Sequence, residues 1–265
     1  ITVILVLSGL LTAFAGTYPD PQTGEAVNRF LNPGVIFQLF TDTSIFAIMA
    51  VGMTMVIITT GIDLSVGSTY ALSGVLTAMA LSKMYPIVTQ PAPGAVGVAM
   101  ALCLGIGLAA GLLNGFLITA LGVHPFIITL GTMTIFNGVA LVITGGESHS
   151  LKGQFQFIGQ GMIAHVPVSA VIWAAVACAS FAVLRYSKFG RRLTMMGGNE
   201  RAAFFSGVRT GAHKFLVYVL NGFVVGIAAT VLVSRLGSAV PATGAGYELR
   251  SIAAVVIGGA SLFGG

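Results

Sequence analysis

The chain has 265 residues, of which 56% are hydrophobic and only 7% charged. A soluble domain is usually about one quarter charged, so the composition excludes a water-soluble globular protein and points to long segments in lipid. The formal net charge is +5, but the basic residues gather in one loop, which argues against nucleic acid as the partner that explains them. Cys103 and Cys178 lie far apart in apolar runs. They read as small buried hydrophobes, and they support neither a disulfide framework nor a metal site.

Taken in chain order, apolar runs predict eight spans: 1–16, 36–60, 65–83, 95–121, 126–144, 167–185, 215–234 and 249–264. The expected fold is all-α, a polytopic transmembrane helical bundle forming a single domain over 1–265. The opening run has no basic leader. It reads as the remainder of a first spanning helix rather than a signal peptide, and both termini read as cut from a longer protein. Tyr18-Pro19-Asp20-Pro21, Asn32-Pro33-Gly34, the prolines at 86, 91 and 93, and Gly145-Gly146-Glu147 are turn signals that separate the runs.

Seven of the twelve basic residues fall between Arg185 and Lys214, with Glu200 the one acid among them. Cytoplasmic loops carry the excess of Lys and Arg, so this loop is expected inside. Counting spans back places 61–64 and 122–125 inside, and 17–34, 84–94 and 145–166 outside. Asn199 is a good N-cap for a short helix over Glu200–Ser206, ended by Gly207. Ala202, Ala203, Phe204 and Phe205 give that helix an apolar surface suited to a protein partner.

Between the second and third runs stands Gly61-Ile62-Asp63-Leu64-Ser65-Val66-Gly67-Ser68. Gly61 is expected to end a helix in the left-handed conformation. Asp63 or Ser65 is expected to cap the next one. Asp63 is either a cap alone or a functional ionisable group near membrane depth, and the residues leave both open. On the fourth run Gly107, Gly111 and Gly115 share one helical face in two overlapping GxxxG patterns, which predicts close approach by another helix. Asn114, Thr132, Asn137 and Asn221 are the polar span residues singled out for a translocation path, although each is as well suited to interhelical bonding. His124, His149 and His165 are scattered, so no metal site is expected. No GxxxxGK[ST] phosphate loop is present, so ATP hydrolysis by that route must come from elsewhere.

GIDLSVGS, with Ala71-Leu72-Ser73-Gly74 after it and Ala47 to Thr54 before it, resembles the permeases of the ribose-type branch of bacterial ABC sugar importers. So do Pro125-Phe126-Ile127, Leu130 to Phe136, Thr144-Gly145-Gly146, Gly197-Gly198-Asn199-Glu200, Gly246-Tyr247-Glu248-Leu249 and Ile252 to Gly259. The resemblance runs through nearly the whole chain in order. It implies a multi-pass protein of the bacterial inner membrane with about ten spans, eight of them in this sequence. It also implies a second permease copy or close relative as partner, forming a dimer. Two cytoplasmic ATPase subunits would carry the ATP and Mg, so the chain itself holds no cofactor. A periplasmic or surface-attached binding protein would deliver a monosaccharide. In this family a helix of the cytoplasmic loop, here 186–214, docks on the ATPase. By resemblance that contact falls to Asn199, Glu200, Arg201, Ala202, Ala203, Phe204 and Gly207. Relatives often carry arginine where this chain has Asn137, which leaves the substrate open. Two alternatives stand beside it: a self-sufficient ion-coupled transporter or channel using Asp63, and an ABC permease for a non-sugar solute.

Overall fold

The computed structural model describes residues 9–14, 16–19, 26–30, 32–85, 94–151, 156–164 and 166–264. Residues 9–14 are helical (α1), and the rest of the predicted first span lies outside the described residues, as does His165. The long helices are α2 (Pro33–Ile58), α3 (Val66–Met84), α4 (Ala95–Leu121) and α5 (Pro125–Thr144). A short α6 (Phe157–Gln160) leads to α7 (Val168–Tyr186), α8 (Lys188–Gly198), α9 (Glu200–Phe205), α10 (Thr210–Leu236) and α11 (Tyr247–Ile257). Three two-stranded antiparallel ribbons join connecting segments: β1 (Thr17–Pro19) with β2 (Ala26–Asn28), β3 (His149–Ser150) with β6 (Ser238–Ala239), and β4 (Met162–Ile163) with β5 (Val166–Pro167).

Among the described residues, five helices are long and apolar enough to cross a membrane: α2, α4, α5, α7 and α10. The protein is thus an all-α polytopic membrane bundle. Local chemistry sets the helix starts. Asn32 Oδ1 accepts from Gly34 N at 2.7 Å with Pro33 at the first helical position, and His124 Nδ1 accepts from Phe126 N ahead of Pro125. Proline is preset for a first turn and its missing N–H costs nothing there.

Two predicted spans need new bounds, and a third, 65–83, forms α3 but is not among these five. The seventh, placed at 215–234, begins at Thr210 and ends at Leu236, because Lys214 and Arg235 sit at the helix ends without breaking them. The eighth, placed at 249–264, is an 11-residue helix from Tyr247 to Ile257, about 16 Å long. Gly258 and Gly259 end it, the latter with φ 103°, so it is too short to cross a bilayer.

The bundle is organised around α10, which packs on α4, α2 and α3. Its core residues Val217, Tyr218, Val225, Ala228 and Val231 meet Ile48, Met49, Met53, Val56 and Tyr70. Against α4 the contact is backbone on backbone. A Cβ added to Gly111 would fall 2.5 Å from the Tyr218 carbonyl oxygen, and one on Gly115 would fall 2.9 Å from that of Phe215. Gly107 meets Gly222 and Gly226 of α10 in the same way. Small residues at matched positions let two helices approach this closely in lipid, where dispersion rather than water expulsion drives association.

The two ends of the bundle differ. At one end β3 pairs with β6, and Arg235 of α10 pairs with Asp42 of α2 at 2.5 Å. The other end carries α8, α9 and the basic residues from Arg185 to Lys214.

Candidate functional site

Four of the singled-out polar residues come together where α2 gives way to α3. Asp63 Oδ1 accepts from Ser65 N at 2.9 Å and from Ser65 Oγ at 2.7 Å, and its Oδ2 accepts from Asn221 Nδ2 at 2.8 Å. Asn114 Nδ2 donates to Ser65 Oγ at 2.7 Å. All four side chains are buried. A carboxylate in such surroundings is tolerable only when its lone pairs are taken up, and here three donors take them up. Among the described residues no ion pair reaches Asp63.

The residues that could cap α3 do so unequally. Asp63 accepts the amide of Ser65, while the Ser65 side chain makes no cap bond of its own and points back to Asp63. The end of α2 also departs from expectation. The left-handed residue is Thr60, φ 59°, not Gly61. Gly61 N bonds to the Val56 carbonyl at 3.0 Å. Glycine is needed there for space, since a Cβ would fall 2.6 Å from Tyr218 Oη and 3.2 Å from the Val56 oxygen.

The sequence places 61–64 on the inner side and leaves Asp63 as a cap or as an ionisable group near membrane depth; the packing sets its depth. Asn114 stands seven residues before the end of α4 and Asn221 eleven residues into α10, which puts their partner Asp63 about 10–16 Å inside the bundle. A second interruption meets it there. Beyond β6 the chain turns back, so that Gly244 touches Gly67 backbone to backbone and Glu248 lies beside Gly67. Tyr247 packs on Tyr70 and Phe46 with ring centroids 5.4 and 4.8 Å away. Helices broken at depth, with their exposed backbone buried in protein, are how membrane proteins build polar sites. Glu248 and Arg250 do not pair with each other. Glu248 accepts from Gly246 N, and Arg250 lies over Phe46 and Tyr247.

Three buried polar atoms around this joint have no hydrogen-bond partner among the described residues: Asn114 Oδ1, Asn221 Oδ1 and Tyr70 Oη. The site is therefore rich in acceptors. Its chemistry is hydrogen bonding. Among the described residues no group of three His, Cys, Asp or Glu could hold a metal. Thr132 and Asn137 lie apart from this cluster. Thr132 Oγ1 bonds back to the Thr129 carbonyl, and Asn137 is half-buried on α5.

Sequence reasoning missed several contributors. Tyr218 Oη and Thr129 Oγ1 both bond the Ile62 carbonyl, at 3.4 and 3.2 Å, which fixes the joint from two more helices. Gly222 and Gly226 carry a legible GxxxG signal of their own. Gly244 carried none, because its partner Gly67 is distant in sequence.

At the basic end, Asn199 Oδ1 accepts from Ala202 N at 2.9 Å and starts α9. Glu200, at its first position, pairs with Lys214 of α10 at 2.7 Å. Ala203 is buried, which removes it from the expected outer surface. Phe204 and Phe205 are exposed, with ring centroids 5.9 Å apart. Gly207 turns the chain with φ 82°, and Val208 N closes onto the Ala203 carbonyl at 3.0 Å. Arg201 faces solvent.

A bundle of apolar helices in which interrupted helices meet at depth is the architecture of a multi-pass membrane transport protein. The chain belongs to the family described as branched-chain amino acid transport system / permease component, whose model matches residues 35–265. It is 42% identical to the ribose import permease protein RbsC of Bacillus subtilis (strain 168) over 242 residues, covering 89% of this chain and 71% of the relative. Against the D-allose transport system permease protein AlsC of Escherichia coli (strain K12) the identity is 36%, covering 89% and 70%. Against the autoinducer 2 import system permease protein LsrD of Yersinia enterocolitica it is 33%, covering 98% and 77%. No solved structure matches the chain.

Proposed function

We propose that this chain is the membrane subunit of an ATP-driven, binding-protein-dependent importer of a monosaccharide. The observation that carries the substrate class is its 42% identity to a ribose permease along 89% of its length. A second permease copy completes the path. Two cytoplasmic ATPase subunits carrying ATP and Mg supply the energy, and a binding protein outside delivers the sugar. The excess of basic residues over 185–214 puts that loop in the cytoplasm, and α9 is the helix that seats in the ATPase. Two features of α9 support this role. It is held at both ends, by the Asn199 cap and the Gly207 turn, and its exposed Phe204 and Phe205 offer an apolar surface of the kind that marks a protein contact. Buried Thr132 and half-buried Asn137, both on α5, are assigned to the path between the two copies.

The test separates coupling from insertion. Gly207→Pro and Glu200→Arg should leave the subunit inserted and monodisperse, yet abolish sugar uptake and weaken ATPase co-purification. Uptake and ATPase recruitment that survive both substitutions would sink the assignment of α9. Uptake that continues without any ATPase, but collapses with an ionophore, would instead favour an ion-coupled carrier using Asp63. Uptake of a branched-chain amino acid rather than a sugar would support the alternative solute named in the family description.

A further inference from the structure

Helix α7 is the least enclosed of the long helices: 17% of its apolar stretch is buried, against 72% for α10. Between it, α2 and α10 runs a groove of about 380 Å³ whose walls include Val176, Ala179 and Val183 of α7, Leu220 and Phe223 of α10 and Met55 of α2. The α7 residues recur at three- and four-residue spacing, so they form one continuous stripe along the helix. The groove lies within the bilayer-crossing length of both helices and is lined by hydrocarbon.

Where this stripe leaves α7, the character changes within one turn. Val183 is followed by Arg185 and the exposed Tyr186, and Ser187 Oγ accepts from Gly190 N to start α8. In α8, Gly190, Leu193, Met196 and Gly197 are buried, while Lys188, Arg191 and Arg192 are exposed on the other side. Such a helix lies along a membrane surface, apolar face inward and cationic face toward headgroups and water. Glu200 is the one acid between Arg185 and Lys214, and it is already paired with Lys214. The four cations from Arg185 to Arg192 therefore face an environment to which this stretch of chain supplies no counter-charge.

We propose that this groove and the cationic turn at its end form a site for an anionic phospholipid, with an acyl chain against Val176, Ala179 and Val183 and the phosphate at Lys188, Arg191 and Arg192. The apolar and cationic parts adjoin in the order in which a lipid presents its tail and headgroup. A juxtamembrane basic cluster attracts anionic headgroups, and arginine matches phosphate with paired donors. An acidic protein surface would satisfy the cations but not the groove, and a neutral lipid would fill the groove but leave the cations without counter-charge. The site is separate from α9, where the exposed phenylalanines lie.

The sequence supplies a reporter. Its single tryptophan, Trp173, lies on α7 one turn before Val176. The chain is reconstituted in vesicles of phosphatidylcholine containing a small fraction of either brominated phosphatidylglycerol or brominated phosphatidylcholine, and Trp173 fluorescence is read. At equal mole fraction the brominated anionic lipid should quench more strongly, with a preference of about tenfold at low ionic strength. Substituting Lys188→Gln, Arg191→Gln and Arg192→Gln together should abolish the preference. Four basic residues of the loop remain to hold the orientation. Ala179→Phe should block the groove and lower quenching by both lipids, and native mass spectrometry of the same variants counts retained lipids independently. Equal quenching by the two lipids in the unsubstituted protein overturns the proposal. So does a triple variant that keeps its lipid preference while losing ATPase co-purification, which would assign the cations to the protein partner.

Discussion

The joint after α2 and the ends of α9 are built from the same local devices and differ in what surrounds them. Each has an Asx side chain accepting a helix-start amide: Asp63 from Ser65 N, Asn199 from Ala202 N. Each closes a preceding turn with a five-residue bond, Gly61 N to the Val56 oxygen and Val208 N to the Ala203 oxygen. In α9 the glycine, Gly207, occupies the left-handed position, and a Cβ there would meet nothing within 4 Å. In the joint a threonine takes the left-handed position, and the glycine beside it makes room for Tyr218. One glycine serves backbone conformation and the other serves packing. The contrast shows that a glycine in a turn motif does not announce which of the two it serves.

Substitution can pull the two regions apart. The largest effect is expected for Asp63→Ala, which strands the amide and hydroxyl of Ser65 and Nδ2 of Asn221 in a buried site and should cost about 3 kcal/mol or more. The matching Asn199→Ala removes an exposed cap and should cost about 1 kcal/mol. Unfolding free energies measured in mixed micelles compare them, and equal losses would mean that burial does not distinguish the two caps. Next comes Gly61→Val, expected to destabilise by about 2–4 kcal/mol through overpacking against Tyr218. Gly207→Ala should cost only about 1 kcal/mol of left-handed strain. Thermal unfolding of the two variants should therefore separate clearly. The smallest effect is expected at Thr60. A β-branched residue in the left-handed region is strained, so Thr60→Gly should be neutral or raise stability by up to about 1 kcal/mol, and a marked loss would show that the hydroxyl matters more than the backbone.

Most of the fold was legible because lipid imposes length and apolarity on every crossing segment. The bounds of α4 and α5 lie within a residue of the runs that predict them. Residues 249–264 are as apolar as a span, yet α11 stops at Ile257, where Gly258 and Gly259 end it, the latter with φ 103°. The sequence reads Asp63 and Ser65 as cap candidates and Asn114 and Asn221 as polar span residues, and only the fold shows that they touch, because Asn114 and Asn221 are far away in sequence. Gly107, Gly111 and Gly115 declared a close-packed face but not its partner.

That partner gives the bundle a mechanical property. Where side chains interdigitate, two helices can slide by changing rotamers. At Gly107, Gly111, Gly222 and Gly226 the touching surfaces of α4 and α10 are main chain, which has no rotamers to change, so the pair is expected to move as one beam. Glu200 is tied by Lys214 to the first turns of that beam, and Asn114 and Asn221, one on each helix, grip the joint deep inside it. Under the proposed coupling, a displacement applied at α9 would pass along this pair to the interrupted helices.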